Sequence, residues 1–154
     1  MKTIVVGLGN PILGDDAVGW HIARQVQQRS DLPSNIEVDF LSVGGISLME
    51  RLIGYERAIL VDSFVTHKNP IGTLSCFSLD ELPNRALGHM CSAHDTTLQN
   101  ALKIGQELGA QLPEEITIFA VEAQNVFDFS EQLTPMVAGA VPTAVQAIID
   151  LLGG

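Results

Sequence analysis

The stretch Lys2-Thr3-Ile4-Val5-Val6-Gly7-Leu8-Gly9-Asn10-Pro11-Ile12-Leu13-Gly14-Asp15-Asp16-Ala17-Val18-Gly19 decides the fold. Lys2 to Leu8 is apolar without alternation once past the lysine, as strands of a parallel sheet buried on both faces tend to be. A glycine-rich turn follows. Val18, Ile22 and Val26 then recur at i, i+4 and i+8, which predicts an amphipathic helix from about Asp16 to Arg29. A buried strand feeding a helix through a glycine loop is the opening of an α/β unit.

The rest of the chain continues this alternation. Ile36 to Leu41 reads as a second strand, Ile46 to Ile53 as a short helix after Gly44-Gly45, and Ala58 to Val61 as a third strand ending at Asp62. Thr73 to Phe77 is a further strand, and Ser78 to Ala93 reads as irregular. Leu98, Leu102 and Leu108 mark a helix stopping near Gly109, and Glu115 to Val121 is another strand. Thr134-Pro135 opens a final helix carrying Val137, Val141, Val145, Ile148 and Leu152, with Pro at its first position and Pro142 placed to kink it. The expected architecture is a three-layer α/β/α sandwich with a mostly parallel sheet of about five strands, in a single domain over residues 1–154.

Composition narrows the function. Of 154 residues, 46% are hydrophobic and only 17% charged, enough for a substantial core. The formal net charge of −10 argues against nucleic acid or an anionic membrane surface as a partner, since phosphates would be repelled. There is no run of 18 apolar residues, and the N-terminus reads as a strand rather than a signal peptide, so a cytoplasmic protein is expected. Cys76 and Cys91 have no Cys-x-x-Cys spacing and read as reduced thiols filling small apolar spaces.

Ligands of such sheets bind beyond the carboxyl ends of the strands. The chemically able residues there are the Gly7–Asp16 loop, Gly44-Gly45, Asp62 and Glu122. The loop is a poor dinucleotide fingerprint, because Ile12 stands where the third glycine belongs and two acids occupy the pyrophosphate position. Capping of the following helix accounts for Asp15. Asp16 would be held outward by a loop shaped by Gly9, Pro11 and Gly14. Asp62 follows four apolar residues, where a carboxylate is costly to leave half-buried without a partner. His89 and His94 are both candidate ligands by residue type, while His21 reads as structural and His67 as solvated.

Taken together, Gly7-Leu8-Gly9-Asn10 with Asp15-Asp16-x-x-Gly19, Asp62 after an apolar strand, Ser92-Ala93-His94-Asp95 ahead of a helix, and Leu133-Thr134-Pro135 resemble, in order and spacing, the motifs of the hydrogenase maturation endopeptidases. The resemblance implies an endopeptidase that removes a short C-terminal extension from the large-subunit precursor of a [NiFe] hydrogenase after nickel insertion. It implies that Asp16, Asp62 and His94 form the catalytic, metal-contacting triad, and that nickel arrives on the substrate rather than staying with the enzyme. Two carboxylates and an imidazole suit a borderline divalent metal. The family's acid before the glycine turn after strand two is Ser42 here, or is supplied by Asp39. Glu122-Ala123 resembles a Gly-x-Glu-Pro stretch, which makes Glu122 a supporting residue. A monomer is expected.

Two other classes compete. Peptidyl-tRNA hydrolases share Gly-Leu-Gly-Asn-Pro after strand one, but their catalytic histidine position is Asp16 here, and an RNA esterase would want a basic face. A non-catalytic metal-binding module could use the same Asp, Asp and His. A cysteine protease built on Cys91 has no neighbour that would lower the thiol pKa, and no Gly-x-Ser-x-Gly elbow occurs.

Overall fold

The computed structural model describes residues 1–81 and 97–153. Five strands form one sheet: β1 (Thr3–Leu8), β2 (Ile36–Leu41), β3 (Arg57–Phe64), β4 (Leu74–Ser78) and β5 (Glu115–Glu122). Their order is β2-β1-β3-β5-β4. The first four strands of that order run parallel, and β4 pairs antiparallel with β5 at the edge. Among the described residues, four helices cover the faces: α1 (Val18–Gln27), α2 (Gly45–Leu52), α3 (Leu98–Glu107) and α4 (Pro135–Gly153).

Alternation along the strands splits the core in two. Ile4, Val6, Leu8, Ala58, Leu60 and Ile118 pack with Leu48, Leu52, Leu98 and Ala101 of α2 and α3. Val5, Ile59, Val61, Phe119 and Val121 pack with Val18, Ile22 and Val26 of α1 and with α4. The expected three-layer sandwich is therefore present, with α2 and α3 on one face and α1 and α4 on the other. On length and composition alone, at a mean hydropathy of 1.6, α4 could cross a membrane. Here Val137, Ala140, Val141, Ala144, Val145, Ile148 and Leu152 form a buried stripe against the sheet.

Several boundaries differ from expectation, each for a physical reason. A 3₁₀ turn over Gly14–Ala17 precedes α1, so Asp16 lies ahead of the α-helix rather than opening it. β3 runs past Val61 because pairing with β5 continues as far as Phe64 opposite Glu122. Asp62 is thus inside the strand, and Glu122 ends β5 instead of following it. Leu108 closes α3 but is exposed, so the helix's apolar stripe ends at Leu102 and Gly105. Cys76 is exposed on edge strand β4, not a core filler. Partial burial and the nearby Glu81 raise its thiol pKa.

Helix α1 lies unusually close to the sheet. A Cβ on Gly19 would stand 2.3 Å from the Val61 carbonyl oxygen and 2.5 Å from that of Leu8. Only a residue without a side chain lets the first turn of α1 rest on the backbones of β1 and β3. Gly9, at φ 147°, has the same role one step earlier, where a Cβ would meet the Asp16 carbonyl oxygen at 2.1 Å. These two glycines fix where the Asp16 backbone sits above the sheet edge.

Candidate active site

The adjacent aspartates do different work. Asp15 is fully buried. Its Oδ2 accepts from the backbone N–H groups of Gln124 (3.0 Å) and Asn125 (2.9 Å) and from the Thr134 hydroxyl (3.0 Å), and its Oδ1 accepts from the Thr134 N–H (2.7 Å). No side-chain capping bond is made at the start of the 3₁₀ turn. The expectation of helix capping is corrected: Asp15 clasps the segment between β5 and α4. That also explains Thr134-Pro135, because Thr134 bonds Asp15 through both its amide and its hydroxyl while Pro135 begins α4. The carboxylate suits this position because it offers only acceptors to four converging donors.

Asp16 is 7% exposed and turns to the carboxyl edge of the sheet. Its Oδ2 accepts from the Asn10 N–H at 3.0 Å, closing the glycine loop on itself. Its Oδ1 receives the Ser63 hydroxyl at 3.5 Å. Asp62, fully buried, accepts the Ser63 N–H at 2.8 Å. The dipeptide Asp62-Ser63 therefore reaches Asp16, although 46 residues of sequence separate Asp16 from Asp62. Within β3, Ala58, Leu60 and Phe64 pack toward α2 and α3. Asp62 shares their parity and takes that side of the strand, whereas Ser63 takes the side of α1. The Ser63 hydroxyl is a site feature the sequence reading missed, and its only signal was adjacency to Asp62.

His94, with its rival His89 and with Cys91, lies outside the described residues. Among those described, no three of His, Cys, Asp and Glu come together in a metal-holding group. The residues following His94 lead to Thr97, whose hydroxyl accepts the Asn100 N–H at 3.2 Å and caps α3, the helix on the Asp62 side of the sheet.

Glu122 is 1% exposed at the end of β5. Its carboxylate accepts from the Thr66 N–H at 2.8 Å, from the Thr66 hydroxyl and from the Asn69 amide at 3.5 Å. It braces the loop that leaves β3 two residues after Ser63. Asp39, the other candidate for the acid after β2, is paired with the Arg51 guanidinium of α2 at 2.6 Å. Ser42, in the position of that acid, is exposed. His67 is exposed with φ 59° and makes no claim on the site. His21 on α1 is half-buried, and burial followed by the charge of Arg24 lowers its pKa.

A mostly parallel sheet flanked by helices, with an acidic loop meeting an Asp-Ser pair of β3 at its carboxyl edge, defines an α/β protein with a candidate site of carboxylates. Comparison with known families specifies it. The family model described as HycI, hydrogenase maturation protease, matches residues 20–151, and the chain belongs to that family. It is similar to the hydrogenase 2 maturation protease of Escherichia coli K12, with 26% identity over 152 residues covering 99% of this chain and 91% of that protein. The hydrogenase expression/formation protein HupD of Rhizobium leguminosarum bv. viciae is 24% identical over 151 residues, covering 98% of this chain and 74% of that one. Among solved structures, the hydrogenase maturating endopeptidase HybD of E. coli superposes with a TM-score of 0.82 at 26% identity, covering 99% of this chain and 92% of that one. The [NiFe] hydrogenase maturation protease HybD of Thermococcus kodakarensis shares the fold, with a TM-score of 0.74 at 23% identity over 99% of both chains. None of these relatives points to an RNA esterase or a non-catalytic module.

Proposed function

We propose that this protein is the endopeptidase that trims a short C-terminal extension from the large-subunit precursor of a [NiFe] hydrogenase once nickel is in place. Family membership supports the reaction class. The observation that carries the site is the meeting of Asp16 with Asp62-Ser63 at the carboxyl edge of the sheet. In this reading Asp16, Asp62 and His94 contact the nickel that the precursor brings. Oxygen and imidazole donors suit such an ion and leave further positions for the substrate's own ligands. The nickel orders or polarises the substrate segment to be cut, and one of the two carboxylates takes the proton of the attacking water. Asn10 and Ser63 orient the Asp16 carboxylate for this work, and Ser63 orients that of Asp62. The protein acts as a cytoplasmic monomer, one precursor at a time.

The test is cleavage of purified nickel-loaded precursor by wild type, Asp16→Asn, Asp62→Asn, His94→Ala and His89→Ala, with thermal midpoints measured alongside. Loss of processing by orders of magnitude in the first three with folding retained, and near-normal cleavage by His89→Ala, is expected. Efficient cleavage of nickel-free precursor, or by the His94 variant, would refute the proposal.

A further inference from the structure

The segment that Asp15 clasps carries the most exposed aromatic side chains among the described residues. Phe127 and Phe129 are 86% and 83% exposed, and Ile12 beside them is 47% exposed. Apolar side chains held in water on a soluble protein, when grouped, mark a surface that is covered by something else. These rings do not sit on a loose tail. The Gly14 N–H bonds the Ser130 carbonyl at 2.8 Å, and the Ser130 N–H bonds the Ile12 carbonyl at 2.9 Å. The Asp15 N–H bonds the Asn125 carbonyl at 2.7 Å, and the Asn125 side-chain oxygen accepts the Asp128 N–H at 3.3 Å. The loop from 124 to 134 is thus tied to residues 12–15 at Gln124, Asn125, Ser130 and Thr134, on both sides of the two rings, and the next residue is Asp16.

We propose that Phe127, Phe129 and Ile12 form the docking surface for the body of the precursor protein, a region of its fold that presents an apolar patch rimmed by Lys or Arg. Three observations select this occupant. Asp128 lies between the two rings and Glu131 follows two residues after the second, on a chain of net charge −10, so the surface repels acidic partners and a second copy of itself. A groove of about 490 Å³, lined by Ile12, Trp20, His21, Arg24 and Glu131 among others, continues the surface and would receive an apolar side chain from the partner, its one arginine sharing the lining with Glu131. Finally, the backbone bonds to residues 12–15 make the surface continuous with the site, so a protein docked there is brought up to Asp16. Exposed aromatics in a polar setting are the side chains from which interface hot spots are built. This inference rests on the proposed function for the identity of the partner but concerns a different set of residues.

The experiment compares wild type with Phe127→Ser/Phe129→Ser and Asp128→Asn/Glu131→Gln. It measures binding to immobilised nickel-loaded precursor, steady-state cleavage, and thermal midpoint. The aromatic double variant is expected to keep its thermal midpoint and its kcat while KM and Kd rise about tenfold or more. The acidic double variant is expected to associate more slowly and to lose the salt dependence of its on-rate. Unchanged Kd and KM in the aromatic variant with wild type cutting normally would overturn the docking surface and leave the proposed function intact. Wild type that binds through the two rings without cutting would do the reverse. Failure of wild type to bind precursor, or a wild-type dimer that the aromatic substitutions make monomeric, would overturn the assigned occupant.

Discussion

Replacing Asp15 by asparagine alters one oxygen and puts the clasp under direct test. The native carboxylate receives three backbone N–H groups and one hydroxyl. Asparagine does best with its oxygen in the Oδ2 position, where it still accepts from the Gln124 and Asn125 N–H groups and the Thr134 hydroxyl. Its NH2 then takes the Oδ1 position and faces the Thr134 N–H, donor against donor, so one backbone donor is left unmatched in a dry site. An unsatisfied buried donor costs about 1–3 kcal/mol. With a urea m-value of about 2 kcal/mol/M for a domain of this size, the midpoint should fall by about 0.5–1.5 M. Amide hydrogen exchange gives the local readout: protection at Thr134 should collapse while β1 and β3 amides stay protected. A variant with an unchanged midpoint and undiminished protection at Thr134 would refute the clasp.

Three further outcomes follow from the same geometry. Gly19→Ala should destabilise by about 1–3 kcal/mol because its Cβ would collide with two strand carbonyls, whereas Gly139→Ala on α4, with nothing within 4 Å, should stabilise by about 0.5–1 kcal/mol; thermal melts of the pair check both signs. Since burial and then Arg24 depress the His21 pKa below 6.5, its neutral form is favoured in the folded state. The contribution is complete above pH 6.5 and is eroded as pH falls below it toward the depressed value, so His21→Gln should flatten the stability–pH curve on that side, as urea titrations across pH 4.5–7.5 would reveal. Chelator treatment of the purified enzyme should leave its melting temperature unchanged, while removal of nickel from the precursor should abolish processing, as read by gel mobility.

The alternation of uninterrupted apolar strands with amphipathic helices announced the layered fold. The strand ends were legible to within about three residues because parallel pairing needs continuous burial on both faces. What local pattern could not carry was long-range pairing. Nothing within Thr73 to Phe77 states that β4 runs against β5, since that direction depends on where the chain re-enters the sheet. The local sequence separated Asp15 from Asp16 but could not say what Asp15 binds. Asp15 is defined by donors 109 to 119 positions away, and Asp16 by a serine 47 positions away. Asp62 and Glu122 were read as acids just after strands, yet both lie within strands because backbone pairing is indifferent to side-chain polarity.

The contact of α1 with the sheet has a consequence for how this protein meets its partner. Backbone rests on backbone at Gly19, so the height of Asp16 above β3 is set by covalent dimensions and not by side chains that could slide or repack. Such a gauge has no slack to take up. In the reaction proposed above, a ligand bridging Asp16 and Asp62-Ser63 would find the two pieces already spaced, with little ordering entropy left to lose on binding. The same rigidity would make that site discriminate by size and geometry, where a flexible one would accommodate.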